Sequence, residues 1–148
     1  MSQLLKSLLK THGIQPSAQR MAVAQYVLFT GEHPSADQVY SRVAGALPML
    51  SRATVYNTLN LFVTRGLLRE LVLAEGKALF DPHTAPHHHF VDEASGVIHD
   101  IPWDALEVLK LDGLAQDGFG IREYEVVMRG TFNAGPTKRN KRHVDRGR

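Results

Sequence analysis

The chain contains no cysteine. That excludes disulfides, thiolate-bound zinc and cysteine nucleophiles, and it leaves His, Asp and Glu to supply every metal ligand. No apolar run reaches the roughly 18 residues of a membrane span. The opening "MSQLLKSLLKTHG" breaks its apolar positions with lysines at helical spacing, so neither a span nor a cleaved signal is expected, and the cytoplasm is the expected compartment. Acidic residues are scarce at the start: residues 1–69 carry two acids against seven Lys/Arg, residues 70–133 twelve against four, and residues 134–148 one against six. The resulting +5, −8 and +5 hide behind a net charge of only +2. A basic first half, an acidic middle and a basic tail suit a polyanion-binding module joined to one that handles cations.

With 148 residues and 43% hydrophobic content, the chain can bury a core as one mid-sized domain or two small ones. Leu4, Leu5, Leu8 and Leu9 predict a first helix that stops at Gly13. A second runs from about Ser17 to near Gly31, burying Met21, Tyr26 and the Val27–Phe29 end. Ser35 with Gln38 three residues on forms a capping-box pattern for a third, with Val39 and Val43 on one face. Ser51 caps a fourth that ends at Gly66. On this fourth helix Val55, Leu59 and Phe62 form a buried stripe, while Ala53, Asn57, Asn60 and Thr64 face out, with Tyr56 on the flank. A polar, nearly uncharged face between Arg52 and Arg65 suits a helix in the major groove: amides and hydroxyls read base edges, and arginines hold phosphates. "GLLRELVLAEGKALF" then predicts two strands around a turn at Glu75 and Gly76, which completes a winged helix.

The segment "FDPHTAPHHHF" holds four of the eight histidines. If "HHHF" is a strand, His87 and His89 point one way and His88 the other. An i, i+2 imidazole pair with Asp81 and Asp100 nearby offers N and O donors to one ion, a set that suits Fe(II), Mn(II) or Zn(II).

The strings "GIQPSAQR", "HPSADQVY", "SRATVYNTLNLFVTRGLL", "FD" and "HHHF" occur in the order and spacing of the ferric uptake regulator family, bacterial metal-dependent transcription factors that the chain resembles from about Leu4 to Gly130. The resemblance implies an α+β protein with a winged-helix DNA-binding domain over 1–82 and an α/β dimerisation and metal-binding domain over 83–133; residues 134–148, with six basic residues and no hydrophobic period, read as a basic, disordered tail. It implies a homodimer on a palindromic double-stranded operator, acting as a repressor when Fe(II), Mn(II) or Zn(II) is bound. His33, Asp81, His87, His89 and Asp100 match the family's regulatory metal site between the domains, and one ion held there would clamp the two halves. Arg20, Arg52, Thr54, Tyr56 and Asn57 match positions that touch DNA; Gln15 stands where many members carry a basic residue.

Family members with another metal site carry an acid where His88 stands and a histidine where Tyr124 stands. A second site here would draw on His88, Glu107, Glu123 and Glu125, with structural hydrogen bonding the other role open to His88. The family's paired CxxC motifs are missing, so the dimerisation half must rely on packing. A helix begun by Pro102, with Trp103, Leu106 and Leu109 on one face, and a strand in "REYEVVMRG" are expected to supply it. Cysteine-free "HHHF" forms look most like the iron response and peroxide regulator branch, and aspartate at position 100 leans toward peroxide sensing. His83 and His99 read as solvated or loop-packing residues. Two rival classes remain on the residues alone. A zinc metallohydrolase would use the His-x-His and Asp cluster to activate water, and a metal-storing scaffold would bind no DNA.

Overall fold

Three serines start the helices of the first half. Ser17, Ser35 and Ser51 each accept a hydrogen bond from the backbone N–H three residues on, at 3.2, 3.3 and 3.1 Å. In the computed structural model, which describes residues 1–73, 76–107 and 111–134, they precede α2 (Ala18–Val27), α3 (Ala36–Val43) and α4 (Arg52–Thr64). At Ser35 the capping box is complete, since the Gln38 side chain returns to the Ser35 N–H at 2.8 Å. α1 (Ser2–Thr11) buries Leu5 and Leu9, whereas Leu4 is 76% exposed, so its apolar face is narrower than its leucine spacing suggests. α2 ends at Val27, before the expected Gly31. Val23, Ala24 and Val27 form its buried face, with Met21 and Tyr26 packed beside it. Gly66 stops α4 at φ +79°, a left-handed conformation glycine adopts without penalty.

Val55, Leu59 and Phe62 of α4 are fully buried, and every member of the buried hydrophobic cluster lies between Leu5 and Phe80. β1 (Arg69–Val72) and β2 (Ala78–Asp81) pair antiparallel as the wing. The wing is fastened to the segment before α3: the Phe80 N–H donates to the Pro34 carbonyl at 2.9 Å, and Ser35 bridges Leu79. Fold and sequence agree on a winged helix-turn-helix of α1–α4 and β1–β2.

The second half is a three-stranded sheet of order β4-β3-β5. β3 (His88–Asp92) pairs antiparallel with β4 (Ile98–Ile101) and parallel with β5 (Val127–Gly130). The molecule is thus α+β. Two expectations need correction. Pro102 sits in extended backbone and opens only a 3₁₀ turn, Trp103–Ala105, after which Leu106 is extended; the helix in this region, α5, spans Leu111–Gln116. Trp103 goes to His88 instead, ring centroids 4.6 Å apart. The strand of "REYEVVMRG" covers only its last four residues, because Tyr124 and Glu125 turn toward Trp103 and His89. Leu109, the Glu75 half of the wing turn and the tail from residue 135 lie outside the described residues. No helix among those described is long and apolar enough to cross a membrane.

Candidate metal centre and nucleic-acid interface

Strand register brings the acidic site together. His89 of β3 lies opposite Asp100 of β4, so their side chains share a face, and β2 delivers Asp81 at the end of the wing. His87 enters from the approach to β3, and His33 from the segment tied to β2. One ligand atom from each of His33, Asp81, His87, His89 and Asp100 lies within 4.8 Å of all the others. Atoms on opposite sides of an ion with bonds of about 2.0–2.2 Å stand roughly 4–4.5 Å apart, so the cluster has the right size. His87 and His89 do face one way and His88 the other, as strand alternation predicts.

Nε2 atoms converge on the carboxylates. Oδ2 of Asp81 is 3.4, 2.9 and 3.3 Å from Nε2 of His33, His87 and His89. Oδ1 of Asp100 is 2.8, 3.5 and 3.6 Å from the same three atoms. The Asp81 and His side chains are at most 5% exposed, whereas Asp100, at 39%, forms the lip. The outer nitrogens fix the tautomers: Nδ1–H of His87 donates to the Ala85 carbonyl at 2.8 Å, and that of His89 to Oε2 of Glu125 at 3.1 Å. Each Nε2 then presents a lone pair to the carboxylates. Such atoms repel unless positive charge stands among them, which protons or a divalent cation supply.

The electrostatics agree. Burial pushes the His33 pKa down, but the Asp81 hydrogen bond and the charges of Asp81 and Asp100 outweigh it and raise the net value. Burial likewise pushes the Asp81 carboxyl up. Hydrogen bonds from His33, His89 and the His83 backbone N–H more than reverse this and hold it well below the usual carboxylate range. The donor set therefore fits a hard or borderline divalent ion.

His83 lies at the margin, stacked on His87 at 4.0 Å with Nδ1 3.7 Å from Oδ2 of Asp100. His99 packs on Phe132 at 4.4 Å. The second set is not brought together. His88 is buried against Trp103, and its Nδ1 accepts the Val126 N–H at 3.0 Å. Glu107 is exposed, Glu123 lies beside Arg122 at 3.5 Å, and Glu125 serves His89. The physical reason is the β3 pleat, which puts Glu125 and His88 to use on different sides of the strand. Sequence reasoning placed Glu125 with His88 and missed its role at His89, because the parallel pairing of β3 with β5 leaves no local signal.

On α4, Tyr56 is 47% exposed, Asn57 is exposed and Thr54 half-buried, its hydroxyl 2.9 Å from that of Ser51. A cleft of about 350 Å³ between α2 and α4 is lined by Ser17, Gln19, Arg20, Thr54 and Asn57 among others. Arg20 donates to the Gln15 carbonyl at 2.9 Å. Arg52 pairs with Asp37 and lies over the Tyr40 ring at 4.5 Å; an exposed pair of this kind contributes about 0–1 kcal/mol, so a phosphate can displace the acid.

The ferric uptake regulator family matches residues 11–129. The chain is 31% identical over 132 residues to the peroxide operon regulator of Bacillus subtilis (strain 168), covering 89% of this chain and 91% of that protein. Among solved structures, the Vibrio cholerae ferric uptake regulator superposes with a TM-score of 0.70 at 23% identity, over 86% of this chain and 98% of that one. The ferric uptake regulator of Francisella tularensis, solved with iron, gives 0.70 at 20% identity, over 81% and 92%. The match over most of the length establishes that this chain belongs to the ferric uptake regulator family.

Proposed function

We propose that the chain is a metal-dependent, DNA-binding transcriptional repressor whose operator affinity is set by a divalent ion held by His33, Asp81, His87, His89 and Asp100. The observation that carries this reading is the convergence of His33, from the helical half, with His87, His89 and Asp100 of the acidic sheet around the wing-end Asp81. A divalent ion held there, Fe(II) or Mn(II) with Zn(II) as a substitute, supplies the positive charge that the two carboxylates and the Nε2 lone pairs of His87 and His89 call for. His33 is tied through Pro34 and Ser35 to the wing, so holding His33 holds the helical half against the sheet. We take 1–82 as the DNA-binding half, with Arg20, Arg52, Thr54, Tyr56 and Asn57 at the duplex, and 83–133 as the dimerisation half. Exposed Phe119, Ile121 and Phe132 are apolar surface available to a second copy. The compartment is the cytoplasm. Membership in a family of regulators sets the metallohydrolase and storage readings aside. With no cysteine, no thiolate zinc site exists.

Selection from a random duplex pool in Mn(II) yields the operator, expected to be palindromic, and a gel shift with and without Fe(II), Mn(II) or Zn(II) tests the switch. A coupling of about 1–3 kcal/mol gives a 5- to 150-fold change in affinity. His33→Ala is expected to remove the metal dependence and leave the dimer intact; a variant that still binds operator only with metal disproves the clamp. The similarity to the Bacillus subtilis peroxide operon regulator supports peroxide as the signal. Peroxide is then expected to release DNA from Fe(II)-loaded protein and not from Mn(II)-loaded protein.

A further inference from the structure

We propose that Glu125 is a positioning residue of the metal centre: its carboxylate orients the buried His89 imidazole and strengthens Nε2 as a donor to the ion. The proposal rests on the metal-centre reading above and names a residue outside the ligand set.

The three imidazoles are held unequally. His33 Nδ1 is buried with no hydrogen-bond partner among the described residues, and His87 Nδ1–H meets a neutral backbone carbonyl. His89 alone has a carboxylate at Nδ1, Oε2 of Glu125 at 3.1 Å. An ionised carboxylate only accepts, so Glu125 holds a proton on Nδ1, which leaves Nε2, toward Asp81 and Asp100, as the nitrogen whose lone pair an ion would take. A hydrogen bond to a charged acceptor is roughly twice as strong as one to a neutral acceptor and pushes electron density toward the opposite nitrogen.

Glu125 is placed by backbone rather than by chance. The His89 N–H donates to the Val126 carbonyl at 3.1 Å, and the Val126 N–H donates to His88 Nδ1 at 3.0 Å. Residue 126 is thus gripped from both sides by β3, and the parallel pairing of His89 with Val127 continues the grip. His88, stacked on Trp103 and fully buried, acts here as the clamp that sets Glu125 beside its neighbour. The Glu125 side chain is 29% exposed and adds a third negative charge just outside the two ligating carboxylates, which favours a divalent over a monovalent ion.

Full-length wild type, Glu125→Gln and Glu125→Ala are compared in three measurements. These are Mn(II) affinity by electron paramagnetic resonance of free Mn(II), ¹⁵N-imidazole NMR of the metal-free protein, and metal-free thermal unfolding. Glu125→Ala is expected to weaken Mn(II) roughly 10- to 100-fold and to shift His89 away from the Nδ1–H form, with glutamine, which keeps a neutral acceptor, in between. A merely structural role lowers the unfolding temperature and leaves the His89 tautomer and the Ala–Gln–Glu order of affinities unmoved, and that result overturns the proposal. So does a wild type that binds Mn(II) no more tightly than either variant. A wild type that takes up no Mn(II) at all overturns the metal-centre reading together with the proposal.

Discussion

Asp81 shows how one side chain can organise a site. Oδ2 meets three imidazoles while Oδ1 accepts the His83 N–H at 2.8 Å, so both oxygens are engaged although the residue is 1% exposed. Its position at the last residue of the wing means that any motion of β2 reaches all three histidines. Asp92 has a different task, closing the β3–β4 turn. The Ser95 hydroxyl first, and the backbone N–H groups of Ala94, Phe132 and Ser95 after it, hold its carboxyl below the ordinary value against the opposing effect of burial. A group whose folded pKa is depressed stabilises the fold above its unfolded value of about 3.9, and that stabilisation disappears as pH falls through the lower folded value. Urea unfolding between roughly pH 5 and pH 2 is therefore expected to lose stability more steeply in wild type than in Asp92→Asn. Equal slopes would show that Asp92 makes no native-state hydrogen bonds of consequence.

At the scale of elements, α3 and α4 carry distinct burdens. The Ser35–Gln38 capping box both starts α3 and fixes the segment that carries His33. Ser35→Ala is expected to cost about 1 kcal/mol in chemical denaturation and, by loosening His33, to weaken Mn(II) binding as well. Loss of stability with unchanged Mn(II) affinity would separate the cap from the site. α4 divides into an inner stripe of Val55, Leu59 and Phe62 and an outer face with Asn57. Asn57 is exposed, so the unfolding free energy of Asn57→Ala is expected to stay within about 0.5 kcal/mol of wild type. Its discrimination between operator and a one-base variant is expected to fall by about 1–3 kcal/mol in competitive gel shifts. Unchanged discrimination would remove Asn57 from the reading face.

For the whole molecule, the packed cluster within the first 80 residues contrasts with a three-stranded sheet whose neighbours include exposed Val97, Phe119, Ile121 and Phe132. Such a half would gain from a second copy and from an ion held at the proposed site. An ion that binds only the native state, present at about 100 times its dissociation constant, adds about 2.7 kcal/mol to stability. Mn(II) is accordingly expected to raise the thermal midpoint of wild type, EDTA to reverse the rise, and Asp81→Asn to show neither effect. A midpoint insensitive to Mn(II) in wild type would mean that the five donors hold no ion.

The helices, their serine caps, the stripe on α4 and the face shared by His87 and His89 were legible because each depends on residues at most a few turns apart. Helical and strand periods alone place those side chains. The pairing of donors 33, 81, 87, 89 and 100 came from resemblance rather than from local pattern, since 67 residues separate His33 from Asp100. Where local reading failed, a distant partner intervened: Trp103 left the expected helix to stack on His88, and Glu125 turned to His89 rather than joining a second site. Sequence by itself thus determined the local elements and the chemistry of the available donors. Tertiary structure alone decided which donors meet, because a parallel strand and a tethered wing bring together atoms whose encounter no nearest-neighbour preference encodes.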